Sequence, residues 1–368
     1  MAVLTDYFNP FQARYLNGPS ISRIESETAD RIIPPQGFQA IEQLIYADWN
    51  ADSSFNQLAA LASAMIPILQ NMEKEPDRHF KFSQELVFDA IRSSIIGITT
   101  IGITGFDSPV ANHSLPEAIA SFEGIKQLLE IYREIFPAEK KAQIDALLIS
   151  INQNTEHLDS QGNFNQFNRL NFITEYLNPL YRQVVQTRIR TGIGIPPGRN
   201  AVNFSAESLF AADLLNINFY SPPSEYWVTP ERVYLGKLLF ADPILSGTGT
   251  RSCASCHKPE LAFTDGLDKP YSINQSYKLK RNTPTVINSG FQTKQFYDSR
   301  ADILENQLSE VVHNIEEMEG SMKESVDKLK KMLPMIHFSK KLTRRIKSIS
   351  ALLLSQILYL VMSGLSCH

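Results

Sequence analysis

Cysteine is scarce in this chain, with three in 368 residues. So few thiols exclude the multi-disulfide framework that staples small secreted scaffolds. Positive charge is not in excess either. The formal net charge of -4 argues against a nucleic-acid binder, which would present a basic face. A membrane-spanning run is lacking, because the apolar stretch from Ile349 to Met362 falls short of the about 20 residues a spanning helix needs. Period-two alternation of useful length is absent, which disfavours a sheet architecture. The first residues, Met1 to Phe8, lack the basic start and apolar core of a signal peptide. What is present is ordinary for a soluble globular chain: 43% hydrophobic and 20% charged residues, in a length that suggests about two or three domains.

Two of the three cysteines lie in Cys253-Ala254-Ser255-Cys256-His257, a C-x-x-C-H sequence. This is the attachment signature of c-type haem. Two thiols one turn apart can each form a thioether to a haem vinyl group, and the adjoining histidine then becomes the proximal iron ligand. Zinc binding and thiol–disulfide exchange are the competing readings. A closed zinc site needs about four ligands, and Cys367 is the only other thiol, at the far end of the chain. A redox C-x-x-C sits beside a βαβ pattern, and none is evident. Haem is the favoured reading. Covalent attachment of haem takes place on the oxidising side of a membrane, so a periplasmic or exterior location is expected. The chemistry calls for a secretory address that the first residues do not carry. The expectation is that the address was removed or that the true start lies upstream.

Residues 1 to about 200 read as a succession of helices. Apolar residues recur at helical spacing from Gly37 to Asp48, from Ser53 to Met72 and from Phe80 to about Gly97. Ser114-Leu115-Pro116-Glu117 is a helix start, with an N-cap candidate and an early Pro and Glu, opening a helix to about Ile135. Pro137 opens another to about Asn152, and Asn168 to Arg190 is a further amphipathic run. The aromatic and leucine stripes read as core packing. His79, His113 and His157 are isolated and read as surface or capping residues. From Gly192 to Pro230 the density of Gly and Pro ends the array, with a short helix expected from Ser205 to Leu215.

Within the helical half, Pro34 to Glu42 (PPQGFQAIE), preceded by Tyr15-Leu16-Asn17-Gly18-Pro19, resembles the G-x-H-x-x-E stretch of imelysin-like helical domains. The family's histidine position holds Gln39 here, so a metal role does not carry over, and Glu42 is assigned a structural role. That resemblance covers residues 1 to about 190 and implies that a further helix precedes Met1.

The haem motif lies inside a longer series: residues 235–250 (LGKLLFADPILSGTGT), 259–266 (PELAFTDG), 280–286 (KRNTPTV), Phe296 to Arg300 (FYDSR), and Glu317-Met318. In this order the series resembles the N-terminal haem domain of bacterial dihaem cytochrome c peroxidases and of the related tryptophan-tryptophylquinone-maturing enzymes. It runs from about Val228 to Lys331. The resemblance implies an all-α chain, an N-terminal helical bundle followed by a class I cytochrome c-like haem domain. The domains are then 1–195 (helical), 196–228 (linker), 229–331 (haem domain) and 332–368 (an atypical tail). It implies one haem c held by Cys253, Cys256 and His257, with a second haem in the intact family member. The implied substrate is hydrogen peroxide, and the implied donor a small cytochrome or cupredoxin. Glu317 stands at the family's acid–base position, a role that needs a carboxyl able to exchange a proton near neutral pH. Its neighbours Glu316 and Glu319 leave open a solvated acidic cluster. Arg281 and Arg300 are expected to hold haem propionates or the loop around them.

Three positions depart from the family pattern. The loop from Ser272 to Lys280 carries Gln275, or Asn274, where many relatives place a distal histidine, so an iron face open without a reductive switch is expected. Tyr297 replaces the tryptophan between the two haems. Asn282 matches a contributor to an inter-haem calcium site whose other ligands come from the second haem domain. No second C-x-x-C-H follows His257. The pattern changes near Lys331 into a basic stretch, Lys340 to Lys347, and the apolar run; a shifted reading frame is expected there, ahead of an interfacial helix. The expected function is therefore a periplasmic peroxidase fragment. The rivals are a monohaem electron-transfer or sensing protein, and an oxidase that matures a protein-derived cofactor.

Overall fold

The computed structural model describes residues 15–18, 20–24, 32–46, 51–74, 83–196, 200–220 and 227–332. His79, Pro197, Gly198, Pro222, Pro223 and the tail with Cys367 lie outside the described residues. Helices dominate, as the absence of period-two patterning requires; the strand content described is a two-stranded ladder of β1 (Arg23–Ile24) and β2 (Ile32–Ile33). The chain divides into two compact units, residues 1–22 with 33–214 and residues 23–32 with 215–368.

The first unit holds α1 (Phe38–Tyr46), α2 (Ala51–Lys74), α3 (Gln84–Gly97), α4 (Ser114–Ile135), α5 (Ala138–Asp159), α6 (Arg169–Phe172) and α7 (Asn178–Arg190). On α4 the residues Leu115, Ala118, Phe122, Ile125, Leu129 and Tyr132 recur at three- and four-residue steps and are buried. On α5 Ile144, Leu147, Ile151 and Leu158 do the same, with Asn154 inside the stripe. These two stripes, with Val87, Phe88, Ile91 and Ile95 of α3 and Leu180, Tyr181, Val184 and Val185 of α7, form one core. Removing the side chain of a fully buried aromatic such as Phe122 costs about 3–5 kcal/mol.

Two interruptions have local causes. Helix α3 runs on into a π-helical turn, Ile98–Gly102, where Thr99 and Thr100 hydroxyls donate to the carbonyls of Ile95 and Ile96 at 2.7 and 2.9 Å. Hydroxyls bonded back into the preceding turn compete with the backbone ladder. Between α6 and α7 a second π turn, Ile173–Leu177, precedes Pro179, whose missing N–H cannot continue an α ladder.

Glu42 bears the structural role expected of it. Its Oε1 accepts from Ser108 Oγ at 2.8 Å and from the amides of Ala111 and Val110 at 2.7 and 3.3 Å, tying α1 to the segment before α4. Gly37 has φ of +90°, and a Cβ there would lie 2.4 Å from the Leu16 carbonyl.

Several expectations need correction. Residues 205–215 form turns rather than a helix. Asn and Ser side chains take the amides a helix would use: Asn178 Oδ1 accepts from Ser208 Oγ and Leu209 N, and Asn203 Oδ1 from Ser205 N. Two buried guanidinium groups fix this segment, Arg92 donating to Asn203 O and Arg188 to Phe204 O. The stretch expected to be a linker is therefore divided, since Leu209 and Leu214 pack on the first core while Ile217 and Val228 pack in the second unit. Helix α5 continues to Asp159, because Leu158 extends its apolar stripe. His157 is half-buried rather than isolated on the surface; it stacks on Tyr176 with centroids 4.1 Å apart, and burial lowers its pKa.

The second unit contains α8 (Pro230–Ala241), α9 (Leu304–His313) and α10 (Met322–Met332), joined by long irregular segments. Thr229 caps α8 by accepting from Arg232 N, and Pro230 and Glu231 occupy its first turn. Leu235, Leu239, Ile244, Leu245, Leu308, Val312, Met318, Met322 and Val326 make its main core. A smaller cluster of Phe240, Val286 and Leu304 lies against Cys253, Ala254 and Phe263.

Candidate haem site

The C-x-x-C-H segment is a single 3-10 turn, Cys253–Ser255, closed by a reciprocal capping box between Ser252 and Ser255. The amides of Cys256 and His257 both donate to the Cys253 carbonyl, at 3.2 and 2.9 Å. The turn thus presents two thiols followed directly by an imidazole. Cys253 packs against both apolar clusters of the unit, and burial pushes its thiol up to about 12. Burial also raises the Cys256 thiol.

His257 Nδ1 lies 3.0 Å from the Phe263 carbonyl. That carbonyl is turned toward the ring by consecutive left-handed residues, Ala262 and Phe263, with φ of +52° and +60°. Burial holds the imidazole below its ordinary pKa, and hydrogen bonds to the Phe263 and Pro284 carbonyls oppose that shift. A neutral ring that donates from Nδ1 keeps its lone pair on Nε2, the form a metal needs. Two free thiols at thioether spacing, an imidazole whose Nδ1 faces a carbonyl and an apolar surround all fit a covalently bound haem.

Glu317 is brought to this turn by a second segment. Asn314 organises it: its carbonyl accepts from the amides of Glu317, Met318 and Glu319, its Oδ1 from Glu316 N at 2.9 Å, and its Nδ2 donates to Glu317 Oε1 at 2.8 Å. Burial raises the Glu317 pKa, while the hydrogen bond from Asn314 and the charges of Arg251 and Arg300 oppose the rise. The charge on Glu317 acts in turn on the Cys256 thiol, and Arg251, two residues before Cys253, donates to the Glu317 carbonyl at 3.3 Å. The three glutamates do not form one solvated cluster. Glu317 is half-buried, Glu316 accepts from Tyr277 OH at 2.8 Å, and Glu319 is exposed with φ of +48°.

The remaining candidates are placed as follows. Arg281 lies over the Tyr297 ring, 4.8 Å from its centroid, and Tyr297 is 68% exposed. Arg300 stacks on Phe296 at 3.5 Å and bonds the carboxylates of Asp298 and Glu310 at 2.9 Å, so it holds its own loop. Gln275 is exposed, with φ of +58°. Asn274 Oδ1 accepts from Ser272 Oγ, Ser276 N and Ser276 Oγ, turning the loop locally. Asn282 is exposed, and among the described residues no group of three or more His, Cys, Asp or Glu is arranged to hold a metal ion.

Three residues escaped the sequence reading. Arg251 and Asn314 hold the Glu317 segment, and no spacing rule marks them. Glu305 is 2% exposed, neither carboxyl oxygen has a partner among the described residues, and burial pushes its pKa to about 7. A signal for it exists, since Glu305, Leu308 and Val312 share the buried stripe of α9.

This turn and its surroundings have the residues that a c-type haem domain needs. Residues 230–347 match the family described as di-haem cytochrome c peroxidase. The match extends past Lys331, where the sequence pattern changes. The methylamine utilization protein MauG of Methylorubrum extorquens is 44% identical over 103 residues, which cover 28% of this chain and 29% of that protein. The cytochrome c551 peroxidase of Nitrosomonas europaea is 39% identical over 111 residues, covering 29% and 32%. The chain thus spans about three-tenths of the length of these relatives. Among solved structures, the diheme peroxidase BthA from Burkholderia thailandensis E264 is similar at 24% identity and a TM-score of 0.30, covering 37% of this chain and 39% of that one. Among the described residues no helix is long and apolar enough to cross a membrane.

Proposed function

We propose that residues 229–331 form a class I cytochrome c-like, periplasmic haem peroxidase domain that reduces hydrogen peroxide to water, drawing electrons from a small cytochrome or similar donor. The observation that carries the reading is a half-buried carboxyl, Glu317, on a segment that Arg251, two residues before Cys253, bonds to the C-x-x-C-H turn. The bound haem c would supply an iron centre that accepts peroxide and passes electrons. Cys253 and Cys256 would anchor it, and His257 would ligate its iron. Glu317 takes a proton from one peroxide oxygen and returns it to the other, a role for which a raised carboxyl pKa is suited. Asn314 fixes the carboxyl oxygen that does not exchange the proton. The loop from Ser272 to Lys280 supplies Gln275 or Asn274 where a blocking histidine would stand, which favours a face open in the resting state. In this reading the chain corresponds to the first haem domain of a longer dihaem enzyme, preceded by an imelysin-like helical domain. Calcium is not part of the proposal, since such an ion takes about six to eight oxygen ligands and Asn282 would supply one.

The test is peroxide turnover by the haem-loaded protein with a reduced donor. Glu317→Gln is expected to lower kcat by about 10²–10⁴-fold at unchanged haem content. Absence of turnover by the haem-loaded protein would overturn the reading in favour of a monohaem electron-transfer or sensing protein, and turnover that survives the substitution would overturn the role given to Glu317. A second reading, oxidation of a protein partner, is favoured by Tyr297, an exposed aromatic stacked under Arg281 where electrons could leave the domain. A covalently modified partner protein would support it.

A further inference from the structure

Arg251 stands two residues before Cys253 and makes three bonds to backbone carbonyls. Its Nη1 donates to Tyr271 O at 3.1 Å and to Glu317 O at 3.3 Å, and its Nη2 to Ser272 O at 2.7 Å. Two segments far apart in sequence are thereby joined to the turn that anchors haem. They are also bonded to each other, Ile273 N donating to Glu316 O at 2.7 Å and Tyr277 OH to the Glu316 carboxylate. On its other side the Glu317 segment is held by Gly247 N, which donates to Met318 O at 2.9 Å. The guanidinium is half-buried, and its charge opposes the rise in the Glu317 pKa and that of the Cys256 thiol. Arginine suits this task because its rigid fork of donors satisfies several acceptors at once while keeping its charge.

We propose that Arg251 is a positioning residue that locks the 271–277 loop and the Glu317 segment onto the haem turn, and so governs access to the haem and the setting of the Glu317 carboxyl. This rests on the reading of Glu317 given above. The groups that face the Glu317 carboxyl are Asn314 and Glu316 on its own segment, Arg251 and Cys256 on the haem turn, and Arg300 on the preceding loop. Loss of Arg251 removes one of two opposing cations and frees three carbonyls, so the loop and the carboxyl change together.

The experiment uses the full haem-loaded chain and two variants, Arg251→Met and Arg251→Lys, with Glu317→Gln as reference. One readout is cyanide affinity of the oxidised haem by absorption, which reports access to iron independently of Glu317. The other is the acid limb of kcat/KM for peroxide. Arg251→Met is expected to change the cyanide dissociation constant by about threefold or more and to move the acid limb up by about one pH unit. Arg251→Lys is expected to restore the limb, because it keeps the charge, and not the cyanide affinity, because it loses the fork. Cyanide affinity at the wild-type value in both variants would overturn the proposal, whatever the limb does. If Arg251→Met takes up no haem, the split between limb and cyanide in Arg251→Lys decides. An acid limb that persists in Glu317→Gln overturns instead the role given to Glu317, and the cyanide readout then judges Arg251 alone.

Discussion

Asn314 Nδ2 donates to Glu317 Oε1 at 2.8 Å, and the carbonyl of the same asparagine receives the Glu317 amide at 3.1 Å. One residue therefore fixes both the backbone and the carboxyl of the candidate proton shuttle. The hydrogen bond stabilises the ionised carboxylate and opposes the upward pull of burial. Replacing Asn314 with Ala is expected to raise the Glu317 pKa further. If Glu317 must be ionised to accept a proton from peroxide, the acid limb of kcat/KM moves to higher pH. A pH series of peroxide turnover checks the direction.

Glu305 gives a second pH-dependent prediction, of opposite use. Its carboxyl is buried without a partner among the described residues, and burial raises its pKa to about 7 in the folded state, above the ordinary value of 4.5. The folded unit holds this proton more tightly than the unfolded chain. Stability from this group is thus full below about pH 4.5 and is lost as pH rises through 7. The loss amounts to about 3 kcal/mol, from roughly 1.4 kcal/mol per pH unit. Glu305→Gln is expected to flatten the dependence and to stabilise the protein at pH 8, as measured by thermal unfolding across pH 4 to 8.

Gly247 and Gly320 admit no side chain. A Cβ on Gly247 would lie 1.8 Å from the Glu319 carbonyl, and one on Gly320 2.2 Å from the Leu245 carbonyl. The obstacles are backbone atoms, which cannot rotate away. Alanine at either position is expected to cost about 1–3 kcal/mol or more, as overpacking does. Urea unfolding and the yield of haem-loaded protein would register the loss.

Glu42 separates charge from hydrogen bonding in the helical unit. Glu42→Leu leaves Ser108 Oγ and two amides without their acceptor and is expected to cost about 1–3 kcal/mol. Glu42→Gln keeps an acceptor oxygen and is expected to cost less. A difference in midpoint between the two variants in denaturant checks the structural role.

The stripes on α4 and α5 were legible in the sequence because burial there obeys a single helical period. Likewise, C-x-x-C-H announced its chemistry because that chemistry depends on local spacing. The 205–215 segment misled for the converse reason, since its fate was set by Asn178, Arg92 and Arg188, none of them local to it. Arg251 was invisible on the same ground. Its partners are backbone carbonyls about 20 and 66 residues away, and a carbonyl has no residue type to read. Glu305 could have been found by asking why a carboxylate occupies an apolar phase of α9.

The contact between Gly247 and Glu319 has a kinetic meaning as well. It closes a loop of about seventy residues, and the haem turn lies inside that loop. Closing so long a loop is an entropic cost met before the contacts inside it can contribute, which makes such topologies slow to form. Until the Gly247 amide meets the Met318 carbonyl, the Glu317 segment is not held against the haem turn from that side. Anchoring haem inside the loop would shorten the search, so the rate at which this unit matures should depend on haem supply.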